Sequence, residues 1–214
     1  PTERAAWLPP VVDSEVFAFS PPPQIDSPFV VHWDGSFIAS HGVEVILDAA
    51  NLLRNYLDIH FELVGDGPVS DEMRQRAESL KLANVIFRGT VSFEELVESV
   101  KRSHICLGTF RADDKQRRSL YTKELQAMMA GRALITAEGE AKRRVFKPDE
   151  ELVLIPPQDA SDLADAILKL KADAPRRQHL GEHGHAAVSA LCSPESIQYK
   201  LMTILHRARE QRRR

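Results

Sequence analysis

The sequence lacks the features that mark several classes of protein. Only two of its 214 residues are cysteine, Cys106 and Cys192, which is too few for a disulfide scaffold or a four-cysteine zinc site. No apolar run approaches the roughly 18 residues that cross a membrane, and the first residues do not resemble a signal peptide. The net charge of −3 leaves no excess of positive charge, so we expect no nucleic-acid partner. What remains is an ordinary globular composition, and we expect a cytoplasmic protein.

Proline is concentrated at the start of the chain. Seven of the thirteen prolines lie within residues 1–28. They predict an extended linker, because proline removes a backbone donor and disfavours helix in the residue before it. Apolar residues at 11–12 and 17–19 indicate that this linker docks on a neighbouring surface. We divide the chain into a linker segment (1–28), a main domain (29–192) and a C-terminal helix (193–214), and we expect it to be part of a larger protein.

Short apolar runs alternate with helix-periodic segments from Phe29 onward. The pattern predicts strands at residues 29–33, 60–64, 85–88, 105–107, 133–136 and 152–155. It predicts helices at residues 42–57, 70–82, 92–103, 121–130, 141–146, 161–172, 175–191 and from residue 193 onward. Leu53 and Leu57 fall on the apolar face of the first helix, and Ser92 and Glu95 form a capping box at the third. The alternation predicts an α/β fold of about six parallel strands, with helices on both faces and a helical C-terminal tail.

The carboxyl ends of parallel strands are the expected ligand edge of such a sheet. Two loops at this edge are rich in glycine and lead into helices, one from Gly35 to Gly42 and one from Gly65 to Gly67. Backbone amides at a helix N-terminus attract anions, although each glycine taken alone is more simply explained by a tight turn. Neither loop has the spacing of a P-loop or of the dinucleotide-binding fingerprint.

The loop of residues 108–123 is long and basic. Its charged residues are Arg111, Lys115, Arg117, Arg118 and Lys123 against Asp113 and Asp114. At the ligand edge of the sheet this charge suits a phosphate or diphosphate group, while the simpler interpretation is a solvated surface loop. Lys123 and Gln126 lie three residues apart at the start of a predicted helix, so we expect both side chains to face the same edge.

Six segments resemble glycosyltransferase family 4, in the domain that binds the nucleotide sugar. Residues 106–136 are similar to a variant with the pattern L-G-x-F…R-R-x-x-P-N-K-x-x-Q-A-x-A-x-G-x-P-V-I-T. The other matches are residues 8–17 (the segment that joins the two halves of these enzymes), 35–42 (G-T-F-x-x-x-H-G), 63–68 (L-V-G-x-G-P), 87–91 (F-x-G-x-V) and 154–159 (L-V-P-P-x-D). They occur in the order of the family pattern and cover nearly the whole chain, which makes the resemblance specific.

The resemblance implies the C-terminal, Rossmann-like half of a GT-B glycosyltransferase. Such a half binds a nucleoside diphosphate sugar, and a missing N-terminal half binds the acceptor, which is a sugar or a lipid-linked molecule. The resemblance also implies retaining, metal-independent hexosyl transfer in polysaccharide or glycoconjugate synthesis, and an isolated half that is inactive. The sequence agrees on the metal, because it contains no D-x-D motif. We expect no metal and no cofactor besides the donor, so arginine, lysine and helix N-termini would stabilise the leaving diphosphate.

Individual residues acquire roles from this resemblance. Lys123 and Arg118 would be the catalytic cations at the diphosphate, and Arg117 would be a further phosphate ligand. The other candidates for donor binding are Gly35, Ser36, Phe37, His41, Gly65, Arg88, Gly89, Thr109, Thr122 and Gln126. A surface, turn or core position is the simpler interpretation of each candidate.

Some of these candidates have a specific expected contact. Residues 35–37 would present backbone amides to the diphosphate and sugar, and His41 would donate to a phosphate. Arg88 and Gly89 would flank the base. Gln126 would donate to a hydroxyl of the ribose or the sugar.

The sequence departs from the family pattern at several positions. Ser36 and His41 stand where most members have arginine and lysine, and Arg118 and Gln126 stand where most have two glutamates. These departures leave two alternatives open. One is a catalytically degenerate domain that binds nucleotide sugars or a partner. The other is a GT-B enzyme of different chemistry, such as a sugar-nucleotide epimerase, for which His41 and two glutamates after the fifth strand offer the only bases.

The C-terminal tail is basic. Residues 207–214 contain five arginines and one glutamate. One interpretation is peripheral contact with the anionic headgroups of a membrane. The simpler interpretation is the preference for cations at the end of any helix.

Overall fold

Six parallel strands form one sheet within the residues that the structure, a computed structural model, describes: 7–23 and 28–211. The strands are β1 (Phe29–Asp34), β2 (Ile59–Val64), β3 (Val85–Gly89), β4 (Ile105–Leu107), β5 (Ala133–Ala137) and β6 (Val153–Ile155). They lie in the order β3-β2-β1-β4-β5-β6, and every pair of neighbours is parallel. The predicted α/β, Rossmann-like architecture is confirmed.

Helices connect the strands and pack on both faces of the sheet. They are α1 (Val43–Leu52), α2 (Ser70–Ser79), α3 (Phe93–Arg102), α4 (Asp114–Arg118), α5 (Thr122–Met129), α6 (Glu140–Val145), α7 (Ala160–Ala172), α8 (Ala174–Cys192) and α9 (Pro194–Gln211). A 3₁₀ turn, Ala39–His41, precedes α1. The sequence pattern predicts neither this turn nor α4. Among the described residues, no helix is both long enough and apolar enough to cross a membrane.

The first helix is shorter than the sequence pattern predicts. It ends at Leu52, and although Leu53 is buried, Leu57 is 84% exposed, so the predicted place of Leu57 on the apolar face is wrong. After Leu53 the chain turns. The Tyr56 amide donates to the Leu53 carbonyl at 2.9 Å, and the Ile59 amide donates to the Tyr56 carbonyl at 3.0 Å. These turns lead the chain directly into β2.

Side-chain caps fix where several helices begin. The predicted capping box is present: the Ser92 hydroxyl accepts from the Glu95 amide at 3.2 Å, and the Glu95 carboxylate accepts from the Ser92 amide at 3.1 Å. The Asp113 carboxylate accepts from the Gln116 amide at 2.7 Å, which begins α4 inside the long basic loop. Each cap satisfies an amide that the first turn of a helix leaves without a partner.

Residues 7–23 of the predicted linker segment dock on the sheet, and this predicted docking is confirmed for Val12 and Phe17. Val12 and Phe17 are buried, and the Val12 amide donates to the carbonyl of Cys192 at 3.0 Å. The buried guanidinium of Arg132 donates to the hydroxyl of Ser20 at 2.9 Å and also to its carbonyl. Residues 1–6 and 24–27 of the predicted linker segment, and residues 212–214 of the basic tail, lie outside the described residues.

Strand β1 lies in the middle of the sheet and is buried on both faces. Phe29, Val31 and Trp33 belong to the core that contains α1 and α7. His32 is fully buried as well, and it points to the opposite face because side chains alternate along a strand. Cys106 of the neighbouring β4 is buried, as predicted, and burial raises the pKa of its thiol to about 12.

Candidate functional site

The loops after β1 and β4 diverge at one point of the sheet edge. From β1 the chain continues outward to β2 and β3, and from β4 it continues outward to β5 and β6. Ligands of parallel α/β sheets bind at such a switch point. The indole N–H of Trp33 donates to the carbonyl of Gly108 at 3.0 Å and so joins the ends of the two strands. We call the space bordered by Gly35 and Lys123 at this point the switch-point crevice.

The two glycine loops, which follow β1 and β2, approach each other closely at the crevice. Only glycine leaves room for so short a distance between the two backbones. A Cβ atom on Gly65 would lie 2.0 Å from the carbonyl oxygen of Gly35, and one on Gly67 would lie 2.7 Å from the carbonyl oxygen of Phe37. Gly35 and Gly65 also have φ angles of +141° and +122°, a region that L side chains rarely adopt. The glycines that the sequence singles out therefore shape this edge of the sheet.

The backbone amides of the first loop are mostly used within the protein. The Gly35 amide donates to the carbonyl of Val64, and the Phe37 amide donates to the carbonyl of Asp66, each at 3.0 Å. The expectation that residues 35–37 present their amides to a ligand does not hold for Gly35 and Phe37, because the neighbouring chain already binds both. The Ser36 amide makes no hydrogen bond to any of the described residues.

Lys123 is the second residue of α5, and its ammonium lies in the crevice. The Nζ atom is 4.0 Å from the centre of the Trp33 ring and would be 3.1 Å from a Cβ on Gly35. It is buried and has no hydrogen-bond partner among the described residues. Burial lowers the pKa of Lys123 from 10.5 to about 8, although the nearby carboxylates of Asp34 and Glu124 oppose this shift. Lys123 is thus a cation with unused donors at the switch point.

A buried cluster around Glu124 holds the start of α5. The Glu124 carboxylate accepts from the Thr136 hydroxyl at 2.6 Å and from the amide and hydroxyl of Thr109 at 3.2 and 3.3 Å. Lys142 Nζ lies 3.4 Å from the same carboxylate. The predicted donor-binding role of Thr109 is not supported, because the side chain is fully buried and both donors are directed at Glu124. Sequence analysis missed this cluster, since its members are distant in the chain.

A second polar cluster lies on the face of β1 opposite Trp33. His32 Nε2 is 3.3 Å from Asp34 Oδ1, and His32 Nδ1 is 4.0 Å from Glu62 Oε2 on β2. Arg102 of α3 pairs with the same Glu62 carboxylate, and Arg88 Nε of β3 lies 3.6 Å from it. The predicted place of Arg88 beside a base is therefore not supported in this structure, because its guanidinium is directed along the sheet toward Glu62.

Opposing effects set the charges of this second cluster. Burial disfavours a charged His32 ring, but the hydrogen bond to Asp34 and the nearby carboxylate of Glu62 outweigh burial and raise the pKa of His32. Burial also disfavours a charged Asp34, but the hydrogen bond and charge of His32, with the charge of Lys123, outweigh it and lower the pKa of Asp34. Each group of the pair therefore favours the charged form of the other, an imidazolium beside a carboxylate. This cluster could have been predicted from the sequence. Side chains alternate along a strand, so His32 and Asp34 lie on one face of β1, next to Glu62 on β2.

His41 borders the crevice in its neutral form. Burial, together with the charge of Lys123, lowers its pKa. Its Nδ1 donates to the carbonyl of Ser36 at 2.7 Å, so in the neutral ring Nε2 carries a lone pair and accepts rather than donates. The expected donation from His41 to a phosphate would therefore need a further proton. Its ring packs edge-on against Trp33, with 6.2 Å between the ring centres.

Arg118 and Arg117 do not join Lys123 in the crevice. Both pair with Asp114, Arg117 at 3.0 Å and Arg118 at 3.1 Å, and both side chains are more than half exposed. Arg118 lines a cavity with Trp7 and Pro10 of the linker. The short helix α4, which the sequence pattern does not predict, pairs both guanidinium groups with Asp114 at its own start.

A cavity of about 420 Å³ adjoins the crevice along the ends of β1, β2 and β3. Its polar and aromatic lining consists of Asp34, Ser36, Asp66, Thr90, Ser92 and Phe93, with Gly35 and Gly65. The Gly89 carbonyl accepts from the Gly65 amide at 2.8 Å and closes the loops at this end. Of the remaining candidates, Thr122 is exposed at the start of α5, and Gln126 is half-buried one turn further.

One histidine pair has the spacing of metal ligands. His179 and His183 lie one turn apart on the exposed side of α8, with ring centres 3.9 Å apart. Within residues 7–23 and 28–211, no group of three or more histidine, cysteine, aspartate or glutamate side chains is placed to hold an ion.

Solved structures with the same fold are the C-terminal domains of GT-B glycosyltransferases. Sucrose-phosphate synthase of Thermosynechococcus elongatus is 23% identical with a TM-score of 0.78, over 95% of this chain and 52% of that protein. HepE of Anabaena, solved with UDP and glucose, is 17% identical with a TM-score of 0.76, over 92% and 55%. The C-terminal domain of LpcC of Francisella tularensis is 19% identical with a TM-score of 0.70, over 86% and 99%.

The chain belongs to the glycosyl transferases group 1 family, which matches residues 28–173. It is 26% identical to O-antigen chain mannosyltransferase C of Escherichia coli over 172 residues, which are 75% of this chain and 44% of the relative. It is 25% identical to alpha-D-kanosaminyltransferase of Streptomyces kanamyceticus over 161 residues, 74% of this chain and 40% of that protein. The predicted resemblance to a glycosyltransferase is confirmed at the level of this group 1 family, and the chain spans less than half the length of the curated relatives it matches.

Proposed function

We propose that this chain is the donor domain of a glycosyltransferase and that it binds a nucleoside diphosphate sugar in the switch-point crevice. The diphosphate faces Lys123, and the nucleoside occupies the adjoining cavity at the ends of β1, β2 and β3. The sugar passes, with retention of configuration and without a metal, to an acceptor sugar or lipid-linked acceptor held by an N-terminal half. By itself the domain binds the donor but does not transfer it.

The observation that carries this proposal is the unsatisfied ammonium of Lys123. A buried charge without hydrogen-bond partners is unfavourable, and buried polar groups in folded proteins are normally paired. The Lys123 Nζ is buried without such a partner among the described residues. A diphosphate would supply several charged acceptors to this ammonium. Burial of Lys123 is unfavourable in the free protein and would be compensated when such a ligand binds, which supports a role in binding.

The position of Lys123 also suits the chemistry of transfer. When the bond between the anomeric carbon and the diphosphate oxygen breaks, negative charge develops on that oxygen. A fixed ammonium in a water-poor crevice stabilises this charge more strongly than the same group in water. The α5 N-terminus behind Lys123 adds to the attraction for anions.

The two glutamates after β5, which the epimerase alternative would use as bases, both form ion pairs. Glu138 pairs with Arg143, and Glu140 pairs with Arg144 at 2.8 Å. These pairs favour donor binding and electrostatic catalysis over the proton transfers that an epimerase requires.

The comparisons support a nucleoside diphosphate sugar as the ligand. HepE was solved with UDP and glucose, and one relative is named a mannosyltransferase. These names describe other proteins, and for this chain they favour a hexose on a nucleoside diphosphate.

Binding calorimetry tests the proposal directly. We expect this chain to bind UDP or GDP, and Lys123→Met to abolish detectable binding at pH 7. Lys147→Met is the matched control, because Lys147 is an exposed lysine that pairs with Glu150 at 3.6 Å on the surface. Equal binding by wild type and Lys123→Met would contradict the proposal. Binding by a full-length enzyme that transfers no sugar would identify the degenerate alternative.

A further inference from the structure

His32 is a buried histidine that the proposed transfer chemistry does not use directly. It is fully buried, yet its ring nitrogens face two carboxylates, Asp34 at 3.3 Å and Glu62 at 4.0 Å. Asp34 is the last residue of β1 and lines the cavity beside Gly35. Asp34 therefore lies beside Gly35 at the edge of the crevice, and its charge is close enough to raise the pKa of Lys123.

Glu62 does not depend on His32 for its charge balance. Arg102 forms an ion pair with the Glu62 carboxylate, and Arg88 lies 3.6 Å from it. Asp34 has no such arginine: within the part of the chain that the structure describes, its only ion pair is with His32. An ionised Asp34 without His32⁺ would repel a diphosphate across the crevice.

We propose that protonated His32 is a positioning residue that neutralises Asp34 and thereby allows Lys123 to hold the diphosphate. The inference rests on the proposed donor site. With the proton on His32, the charges of the imidazole and Asp34 cancel, and the crevice carries the net positive charge of Lys123. Without that proton, Asp34 cancels Lys123, and the attraction for an anion is lost. The electrostatic difference is large because these groups lie away from bulk water.

The other groups around Asp34 do not replace His32. From the 3₁₀ turn, His41 faces Asp34 but is neutral, since burial lowers its pKa. From β4, the thiol of Cys106 is neutral at physiological pH, since burial raises its pKa to about 12. From α5, Lys123 is the charge that the ligand itself requires. His32 is therefore the cation available to neutralise Asp34.

A charge-balance cycle tests this inference. His32→Gln keeps a polar side chain without a charge, and we expect it to weaken binding of UDP or GDP about tenfold at pH 7. Asp34→Asn removes the repelling charge, so we expect affinity within about threefold of wild type. The double variant His32→Gln/Asp34→Asn should return to about the same affinity as Asp34→Asn, because no uncompensated carboxylate remains. A purely structural role would instead make the double variant at least as weak as His32→Gln.

Controls separate this inference from loss of folding. His104→Gln removes another buried histidine, whose Nδ1 accepts from the Val30 amide at 2.9 Å, and should leave affinity unchanged. Affinity of the wild type should also fall as the pH rises through the raised pKa of His32, which lies above the ordinary 6.5. In His32→Gln/Asp34→Asn neither group titrates, so only the loss that comes from Lys123 should remain.

Two outcomes would overturn it in different ways. If His32→Gln folds and binds as tightly as wild type, or if His32→Gln/Asp34→Asn stays as weak as His32→Gln, the inference is wrong while the donor site stands. If the wild-type chain binds no nucleoside diphosphate, the proposed function fails and this inference fails with it.

Discussion

The ammonium of Lys123 stands 4.0 Å from the centre of the Trp33 ring, on the side of β1 opposite the His32–Asp34 pair. The ring face carries partial negative charge and attracts the cation without using its N–H donors. None of the three N–H donors is used by the described residues. Trp33, a core residue of the central strand, therefore holds the ammonium of Lys123 at the start of α5.

Removing the Lys123 charge is expected to stabilise the free protein. Because Lys123→Met replaces a buried ammonium by an apolar side chain of similar length, the free energy of unfolding should rise by roughly 1–2 kcal/mol at pH 7. This is less than the full pKa shift implies, since the stem of Lys123 is part-exposed and the contact with Trp33 is lost. Urea denaturation of wild type and variant measures the difference.

The stabilisation of the free protein by Lys123→Met should depend on pH. The pKa of Lys123 is about 8 in the folded protein and 10.5 ordinarily, so the unfolded chain binds more protons between these values and wild-type stability rises with pH there. The advantage of Lys123→Met should be complete below pH 8 and disappear as the pH approaches 10.5. An advantage that stays constant from pH 7 to 10.5 would mean that the Lys123 ammonium is solvated.

Binding of a diphosphate should be accompanied by proton uptake. The anion favours the charged form of Lys123 and raises its pKa from about 8, so affinity should decline as the pH increases above 8. Calorimetry at pH 8.5 in buffers with different ionisation enthalpies measures the number of protons bound. We expect the wild type to take up protons when the nucleotide binds. If the variant Lys123→Arg still binds the nucleotide, we expect no proton uptake at this position.

Arg118 is held in an ion pair with Asp114. The two groups lie 3.1 Å apart on α4, so Asp114→Ala frees the guanidinium. If Arg118 is a phosphate ligand, Asp114→Ala should tighten nucleotide binding about threefold, and Arg118→Ala should weaken it by a similar factor. Unchanged affinity in both variants would remove Arg118 from the site, and Lys147→Ala provides the surface-charge control.

The close contact of the two glycine loops predicts unequal costs for two similar substitutions. In Gly65→Ala the Cβ would lie 2.0 Å from the Gly35 carbonyl oxygen, and we expect a loss of more than about 3 kcal/mol in the free energy of unfolding. Gly89→Ala is the matched control: φ is +68° but no atom lies within 4 Å of the added Cβ, so the expected loss is only about 1–2 kcal/mol. Equal losses would show that backbone conformation, not loop contact, requires Gly65.

Local patterns in the sequence predict the scaffold well. Strand β4 begins and ends at the predicted residues, 105 and 107, because three apolar residues lie between a helix cap and a glycine. The box of Ser92 and Glu95 fixes the start of α3 because its hydrogen bonds join neighbours in the chain. Helix α1 is overestimated because Leu57 continues the apolar period although the turn at Tyr56 has already ended the helix.

The site is predicted less completely because its contacts join distant segments. The importance of Lys123 follows from its place at a helix start, but its contact with Trp33 joins residues ninety positions apart. The amides of Gly35 and Phe37 are used by the β2 loop, which the glycine pattern alone does not reveal. Thr109 appears available in the sequence, yet the distant Glu124 binds both of its donors.

The pKa of the Lys123 ammonium, measured by NMR titration with and without a nucleoside diphosphate, tests the central claim most directly. A resonance absent from Lys123→Arg assigns the group. The account predicts a pKa near 8 in the free protein and a clear rise when UDP or GDP binds. An ordinary pKa in the free protein that the nucleotide leaves unchanged would contradict it.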